Sequence, residues 1–234
     1  MNTMYQVSLL QSLTDGLYDG IIDVATLKSL ANTAIGTFLG ADGEMIMVDG
    51  KCFKAKLDGS IIEAKNSETI PFCNATTFIK TTSINLSCDN ITDLKNKLHE
   101  YKNCKFKNLF MIIKIDGLFD SITTRSLPKQ YKPYKPLDYI VEHEQQVITN
   151  EKIEGTVIGF CSPKYMSNLN TTDFHMHFIS KNKKIGGHVL DLSFNDLNID
   201  MSIKTEFKLI LSSDADFINY NIDGNSDRLK KVEE

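Results

Sequence analysis

Three of the chain's five histidines fall in one short segment, as Phe174-His175-Met176-His177-Phe178 followed by Gly186-Gly187-His188. Side chains alternate along an extended strand, so His175 and His177 share one face while Phe174, Met176 and Phe178 take the other. A turn centred between Asn182 and Lys183 returns the chain with His188 opposite His177 and His175 on the diagonal. Opposed residues have Cβ atoms roughly 5 Å apart and diagonal ones roughly 7 Å. Three neutral imidazoles at those spacings can hold one divalent cation and leave a coordination position open, as catalytic zinc sites do. A bulge at Gly186-Gly187 is the feature able to shift this register. A single histidine on an apolar strand is ordinarily a satisfied core residue, but two on one face with a third at hairpin distance favour a metal. Zinc is the first choice for imidazole, with manganese, iron and copper also compatible.

Other candidates are more equivocal by themselves. Glu44 opens the otherwise apolar run Glu44-Met45-Ile46-Met47-Val48. It is either exposed at a hairpin end beside Asp42-Gly43 or a buried carboxylate, which requires pairing, protonation or a nearby cation. Near a metal it would serve as a general acid or base. The chain has two arginines, Arg125 and Arg228. Arg125 leads into a segment with three of the five prolines, Pro128, Pro133 and Pro136, read as a rigid loop. Such a mount suits a guanidinium that grips a carboxylate, and equally one that bonds loop carbonyls. His99, on a charged helix, and His143, between Glu142 and Glu144, read as solvated. Spacing alone makes Glu233 and Glu234 a solvated tail.

The elements that must position these residues are strand-rich. Residues 3–13 read as a short amphipathic helix stopped by Asp15-Gly16, and 24–34 as a second helix. From Ile35 the pattern becomes a meander turned by Asp-Gly pairs at 42–43, 49–50 and 58–59. Asn90 caps a helix running to about Tyr101. Leu109–Ile115 reads as a buried strand, followed by the proline-rich loop, a strand near 156–161, a helical turn near 163–169, the histidine hairpin and a strand near 204–211. Ile35-Gly36-Thr37-Phe38 and Gly155-Thr156-Val157-Ile158-Gly159-Phe160 form a loose echo. The fold expected is α+β: two strand-rich, mixed-sheet halves with small helices, residues 1–117 and 118–234, with the metal site at their junction. A duplicated unit is one reading of the echo.

Composition narrows the function classes. The chain has 234 residues, 41% hydrophobic and 24% charged, as in a soluble globular protein large enough for a substantial core. Its formal net charge of −4 gives no support to a nucleic-acid partner. No membrane-spanning stretch or secretory leader is visible, and five scattered cysteines read as buried apolar residues in a reducing compartment, so a cytoplasmic protein is expected.

Beyond the histidines, ordered blocks recur along the chain: Leu13-Thr14-Asp15-Gly16-Leu17-Tyr18-Asp19-Gly20, Gly36-Thr37-Phe38, Asp42-Gly43-Glu44-Met45-Ile46, Pro71-Phe72, Thr124-Arg125-Ser126-Leu127-Pro128-Lys129-Gln130, Gly155–Phe160, and His175-x-His177-Phe178 with Gly186-Gly187-His188-Val189-Leu190-Asp191. With these blocks the chain resembles the acetolactate decarboxylase family, whose members convert 2-acetolactate to acetoin and CO2. The resemblance implies that His175, His177 and His188 bind zinc and that Arg125 is the active-site arginine. It also implies that Glu44 is the glutamate of the Asp-Gly-Glu motif, Glu233 the C-terminal glutamate folded over the metal, and Thr37 a residue of the substrate pocket. A homodimer is implied by the family alone. Two segments depart from the family pattern: Asn170-Thr171-Thr172-Asp173 before the histidines, and Asn182-Lys183 at the turn.

The chemistry suits the residues. Loss of CO2 from a β-keto acid leaves negative charge that a cation stabilises as an enediolate, Arg125 can orient the departing carboxylate, and a glutamic acid, Glu44 or Glu233, can reprotonate the product. The alternatives are a zinc hydrolase using metal-bound hydroxide and a non-catalytic metal-binding or DNA-associated module. Acetoin formation separates the first alternative from the decarboxylase, and the acidic balance disfavours the second.

Overall fold

The Asp-Gly pairs turn the chain as their residue types predict. In the computed structural model, which describes residues 2–167 and 169–222, Asp49 and Gly50 take φ values of 49° and 79°. Two successive left-handed residues are what a two-residue hairpin turn requires. Glu233 and Glu234 lie outside the described residues.

The strands are β1 (Thr3–Val7), β2 (Ile22–Asp23), β3 (Thr33–Thr37), β4 (Glu44–Val48), β5 (Lys51–Ala55), β6 (Ile61–Glu63), β7 (Thr69–Ile70), β8 (Phe72–Thr76), β9 (Thr82–Cys88), β10 (Phe110–Ser126), β11 (Gln146–Cys161), β12 (His175–Ser180), β13 (Gly186–Lys204) and β14 (Glu206–Ile210). The helices are short: α1 (Leu10–Thr14), α2 (Val24–Leu30), α3 (Ile91–Lys105), α4 (Leu137–His143) and α5 (Ala215–Ile218). One sheet has the order β14-β1-β8-β3-β4-β5-β6 and is mixed, because β1 pairs parallel to β14 and antiparallel to β8. The other has the order β10-β11-β12-β13-β9, and β13 also pairs with β10, curling the sheet into a small closed barrel. Strands β2 and β7 form a separate pair.

Alternation along the strands builds four layers. On β4, Ile46 and Val48 pack with Ile158, Phe160 and Ile179 of the second sheet, whereas Met45 and Met47 pack with Val24 and Leu27 of α2. On β12, Met176 and Phe178 point away from the first sheet into the curled second sheet, where they pack with Phe119 and Phe194 and with Leu94 and Leu98 of α3. The sequence is therefore helix, sheet, sheet, helix. Glu44, in phase with Ile46, and His175 and His177, in phase with Ile179, point into the layer between the sheets. A polar residue there is surrounded by apolar side chains and must find its partners locally.

Several sequence expectations change. Residues 3–7 are strand rather than helix: Met4 and Gln6 are buried and the segment is hydrogen-bonded on both sides, so tertiary pairing overrides helical periodicity. The second helix ends at Leu30, and α3 continues past Tyr101 to Lys105, with Lys102 and Lys105 in its last turn where they complement the helix dipole. Asn90 does cap α3, accepting from Asp93 N at 2.9 Å. The buried strand expected at 109–115 runs on to Ser126, because its second half is paired by β11 and β13. The 117/118 boundary falls inside β10, and the sheets exchange segments: β9 joins the second sheet and β14 the first. Cys104 is exposed, unlike the other four cysteines, which are buried. No helix among the described residues is long and apolar enough to cross a membrane.

Close approach of β3 to β8 depends on Gly36. A Cβ there would lie 2.2 Å from Phe72 O and 2.8 Å from Cys73 Cα, which are backbone atoms that cannot rotate away. Gly36→Ala is expected to destabilise the fold by about 1–3 kcal/mol, as overpacking does. A lower urea midpoint at unchanged m-value is the measurement that checks it.

Candidate metal centre

The histidine hairpin has the register that its spacing predicts. His177 pairs with His188, Phe178 with Gly187 and Ile179 with Gly186, so the two glycines add no shift. The turn is held by Ser180, whose hydroxyl accepts from Lys184 N and Ile185 N at 3.1 and 3.0 Å, while the Asn182 side chain also accepts from Lys184 N. The Asn182-Lys183 departure from the family pattern thus sits in a well-bonded turn, with Lys183 at φ 57°. Both glycines are confined by neighbouring backbone: a Cβ on Gly187 would lie 2.6 Å from Arg125 O.

The three imidazoles converge. Nε2 of His175 lies 3.0 Å from Nε2 of His177 and 3.1 Å from Nδ1 of His188. Nδ1 of His177 lies 2.9 Å from the Met45 carbonyl and donates to it, so in the neutral ring Nε2 presents a lone pair to the cluster. One proton on His175 Nε2 can bridge only one of its two nitrogen neighbours and leaves the other close N···N contact without a hydrogen bond. A divalent cation where the nitrogens meet satisfies all three. Burial disfavours the charged rings, and the Arg125 charge adds to it, pushing the His175 pKa down to about 3. The same burial, with neighbouring histidines and Arg125, holds His177 and His188 well below the ordinary histidine range. Three unprotonated imidazoles, one oriented by a backbone carbonyl, fit the donor set of a divalent zinc ion.

Other candidate residues meet this cluster from both sheets. Arg125 lies near the end of β10, not in the proline loop, and its register partner is His188. His177, His188 and Arg125 therefore form one row across three adjacent strands, with side chains on the same face. Arg125 is buried. Glu44 is also buried rather than exposed at its hairpin end, and its Oε2 stands 3.6 Å from His177 Nε2. Thr37 is paired with Glu44 across β3 and β4, and its hydroxyl donates to Gly43 O at 2.7 Å.

A cleft of about 420 Å³, open solvent included, joins Thr37, Glu44, Arg125, His175 and His188 to an apolar wall of Leu10, Leu13, Ala41, Phe72, Leu127 and Leu137. Thus one side offers donors and charges and the other excludes water. Leu13, Phe72 and Leu127 stood inside the sequence blocks without an assigned role. Met45 acts through its carbonyl, which residue type cannot signal. Lys54, between Phe53 and Ala55 on β5, is a further buried polar residue that residue type did not signal.

The second departure from the family pattern has its own local support. Asp173 accepts from Phe174 N at 2.8 Å and contacts His99 Nε2 at 2.8 Å and Lys95 Nζ at 2.7 Å, tying the start of β12 to α3. Burial opposes the Asp173 carboxylate, but the bonds to His99 and Lys95 outweigh it and lower its pKa to about 2. His99 is therefore partly buried and paired, contrary to the solvated reading; His143 is exposed as expected.

Comparison with known proteins agrees with this architecture. The family model for alpha-acetolactate decarboxylase matches residues 4–224. The chain is 36% identical over 234 residues to the alpha-acetolactate decarboxylase of Methanosarcina mazei, covering 99% of this chain and 80% of that protein. It is 33% identical to the corresponding Bacillus subtilis protein, covering 100% of this chain and 90% of that one. A crystal structure of the B. subtilis strain 168 protein superposes with a TM-score of 0.93 at 32% identity, covering 99% of both chains. A Staphylococcus aureus protein described as similar to alpha-acetolactate decarboxylase gives 0.90 at 29% identity, covering 99% of this chain and 98% of that one. With sequence matched from end to end and both sheets superposed, the chain belongs to the alpha-acetolactate decarboxylase family.

Proposed function

We propose that this protein decarboxylates 2-acetolactate to acetoin and CO2, using a zinc ion held by Nε2 of His175, Nε2 of His177 and Nδ1 of His188. The observation that carries the reading is the convergence of three imidazole nitrogens with Arg125 and Glu44 at one buried cleft, in a member of this family. When bound, the ion supplies Lewis-acid polarisation of the substrate's keto and hydroxyl oxygens, accepting charge left by the departing CO2.

The protein's own groups supply orientation and the proton. Arg125, in the row with His188, offers two parallel N–H donors to the substrate carboxylate and holds the breaking carbon–carbon bond in one orientation. Leu13, Leu127 and Leu137 shield that end from water, which strengthens the charge contacts inside. As CO2 leaves, its bonding electron pair stays with the carbon skeleton. A protonated glutamate returns one proton to carbon and is reprotonated from solvent. The 3.6 Å approach of Glu44 to His177 supports this role for it, and Glu233 is the second carboxyl that the family resemblance nominates. Thr37 keeps the Glu44 turn in place and lines the substrate cleft. Free cysteines, four of them buried, support a reducing cytoplasmic setting. The assembly in this reading is a homodimer, to be checked by light scattering.

Zinc-loaded protein incubated with racemic 2-acetolactate is expected to release acetoin. Dialysis against a chelator is expected to abolish the activity, and equimolar zinc to restore it. No acetoin from protein shown to contain one metal per chain would overturn the reading.

A further inference from the structure

Lys54 is a buried charge that the chemistry above does not use. Its side chain is 8% exposed, and its Nζ lies 2.7 Å from Asp42 Oδ2 and 2.6 Å from Glu68 Oε1. The same ammonium stands 4.5 Å above the centre of the Phe38 ring. A lysine is rarely held so far from water without a reason for its charge to be there.

That reason lies in the turn joining β3 to β4. Asp42 and Gly43 immediately precede Glu44, and Gly43 sits at φ 74°, where a Cβ would meet Ala55 O at 2.2 Å and the Lys54 Cγ at 3.4 Å. The turn is thus gripped at two successive points: Asp42 by the Lys54 ammonium, and the Gly43 carbonyl by the Thr37 hydroxyl. Lys54 is paired with Met45, the neighbour of Glu44, so its stem runs along the opposite face of the sheet from the cleft. It touches the catalytic face only through the turn. Glu68 completes the clamp from outside, being itself fixed by Lys65 N at 2.7 Å. Without the ammonium, Asp42 and Glu68 are two like charges directed at one point, and Asp42 is the partner carried by the turn.

We propose that Lys54 is a positioning residue: it locks the Asp42-Gly43 turn and thereby aims Glu44 at the histidine cluster. The inference rests on the decarboxylase reading for the role of Glu44, and not for the clamp itself. A displacement of about 1 Å at a reacting group can cost on the order of 10²-fold in rate.

The test compares Lys54→Met, Lys54→Arg and Glu44→Gln with wild type, each assayed for metal content, kcat, KM and crystal structure. Lys54→Met is expected to keep its metal, lose about tenfold or more in kcat with KM changed less than about threefold, and show Glu44 displaced from its 3.6 Å approach to His177. Lys54→Arg, which keeps the charge, is expected to recover most of kcat. In the Glu44→Gln background, Lys54→Met should add no further loss, because residues acting through one another are not additive. An unmoved Glu44, or the same fold loss with and without Glu44, would overturn the proposal. If Lys54→Met does not fold, Asp42→Asn removes the same contact from the other side and is read in the same way. Wild type that yields no acetoin would sink the decarboxylase reading, while the position of Glu44 in the variant crystal would still decide the clamp.

Discussion

His177→Ala is expected to leave the protein without bound metal and at least ~10³-fold less active, because Lewis-acid stabilisation amounts to several kcal/mol and each decade of rate to about 1.4. The residue has the most constrained position in the cluster. It is fully buried, donates from Nδ1 to the Met45 carbonyl, and places Nε2 3.0 Å from His175 Nε2. Truncation removes one of three nitrogens and also the side-chain donor to the Met45 carbonyl. Metal affinity is expected to fall by more than the about 10–100-fold typical of losing an outer partner. Plasma emission analysis after dialysis measures the metal directly. Thermal scans give an independent readout: added zinc should raise the unfolding temperature of wild type by mass action and leave that of the variant unmoved. A variant that keeps both metal and activity would remove the histidine cluster from the mechanism.

Arg125→Ala separates binding of the metal from use of the substrate. Arg125 lies beside His188 in the strand register, and its positive charge depresses the proton affinity of all three histidines. The same field opposes a bound cation, so the variant should hold metal as well as wild type or more tightly. Its kcat/KM on 2-acetolactate is expected to drop by on the order of 10²–10³, as when an oriented donor is removed from a water-excluded site. Lysine at this position restores charge but not the planar pair of donors, so Arg125→Lys should recover only part of the loss. Activity within about threefold of wild type would exclude a role in holding the carboxylate, given that a charge-assisted hydrogen bond contributes about 1.5–3 kcal/mol.

The parts of the site that were legible in the sequence are local in the chain. The His-x-His spacing and the short return to His188 define a hairpin whose register follows from strand alternation and turn length, and His177 does face His188. The Asp-Gly turns and the Asn90 cap were legible for the same reason, since each is decided by a few adjacent residues. Residues 3–7 misled because their fate depends on β8 and β14, far away in sequence, and an apolar segment with mixed spacing takes whichever pairing the tertiary structure offers. The prolines that follow Arg125 point to a loop in the sequence, while the β13 partner that extends β10 to Ser126 has no local signature.

The same division separates donors from geometry. Residue types and short spacings determined by themselves that three imidazoles share a hairpin face, that the fold is strand-rich with small helices, and, through the ordered blocks, which family the chain resembles. Only the tertiary structure decided that Glu44 is buried against His177, that Arg125 joins the histidine row from a third strand, and that the Met45 carbonyl, 132 positions from His177, orients its ring. The physical reason is that hairpin register is set by turn and pleat, whereas the facing of two sheets is set by the packing of Ile46, Val48, Ile158, Phe160 and Ile179 between them. That contact surface has no local signature, and it is what turns a row of histidines into an enclosed site.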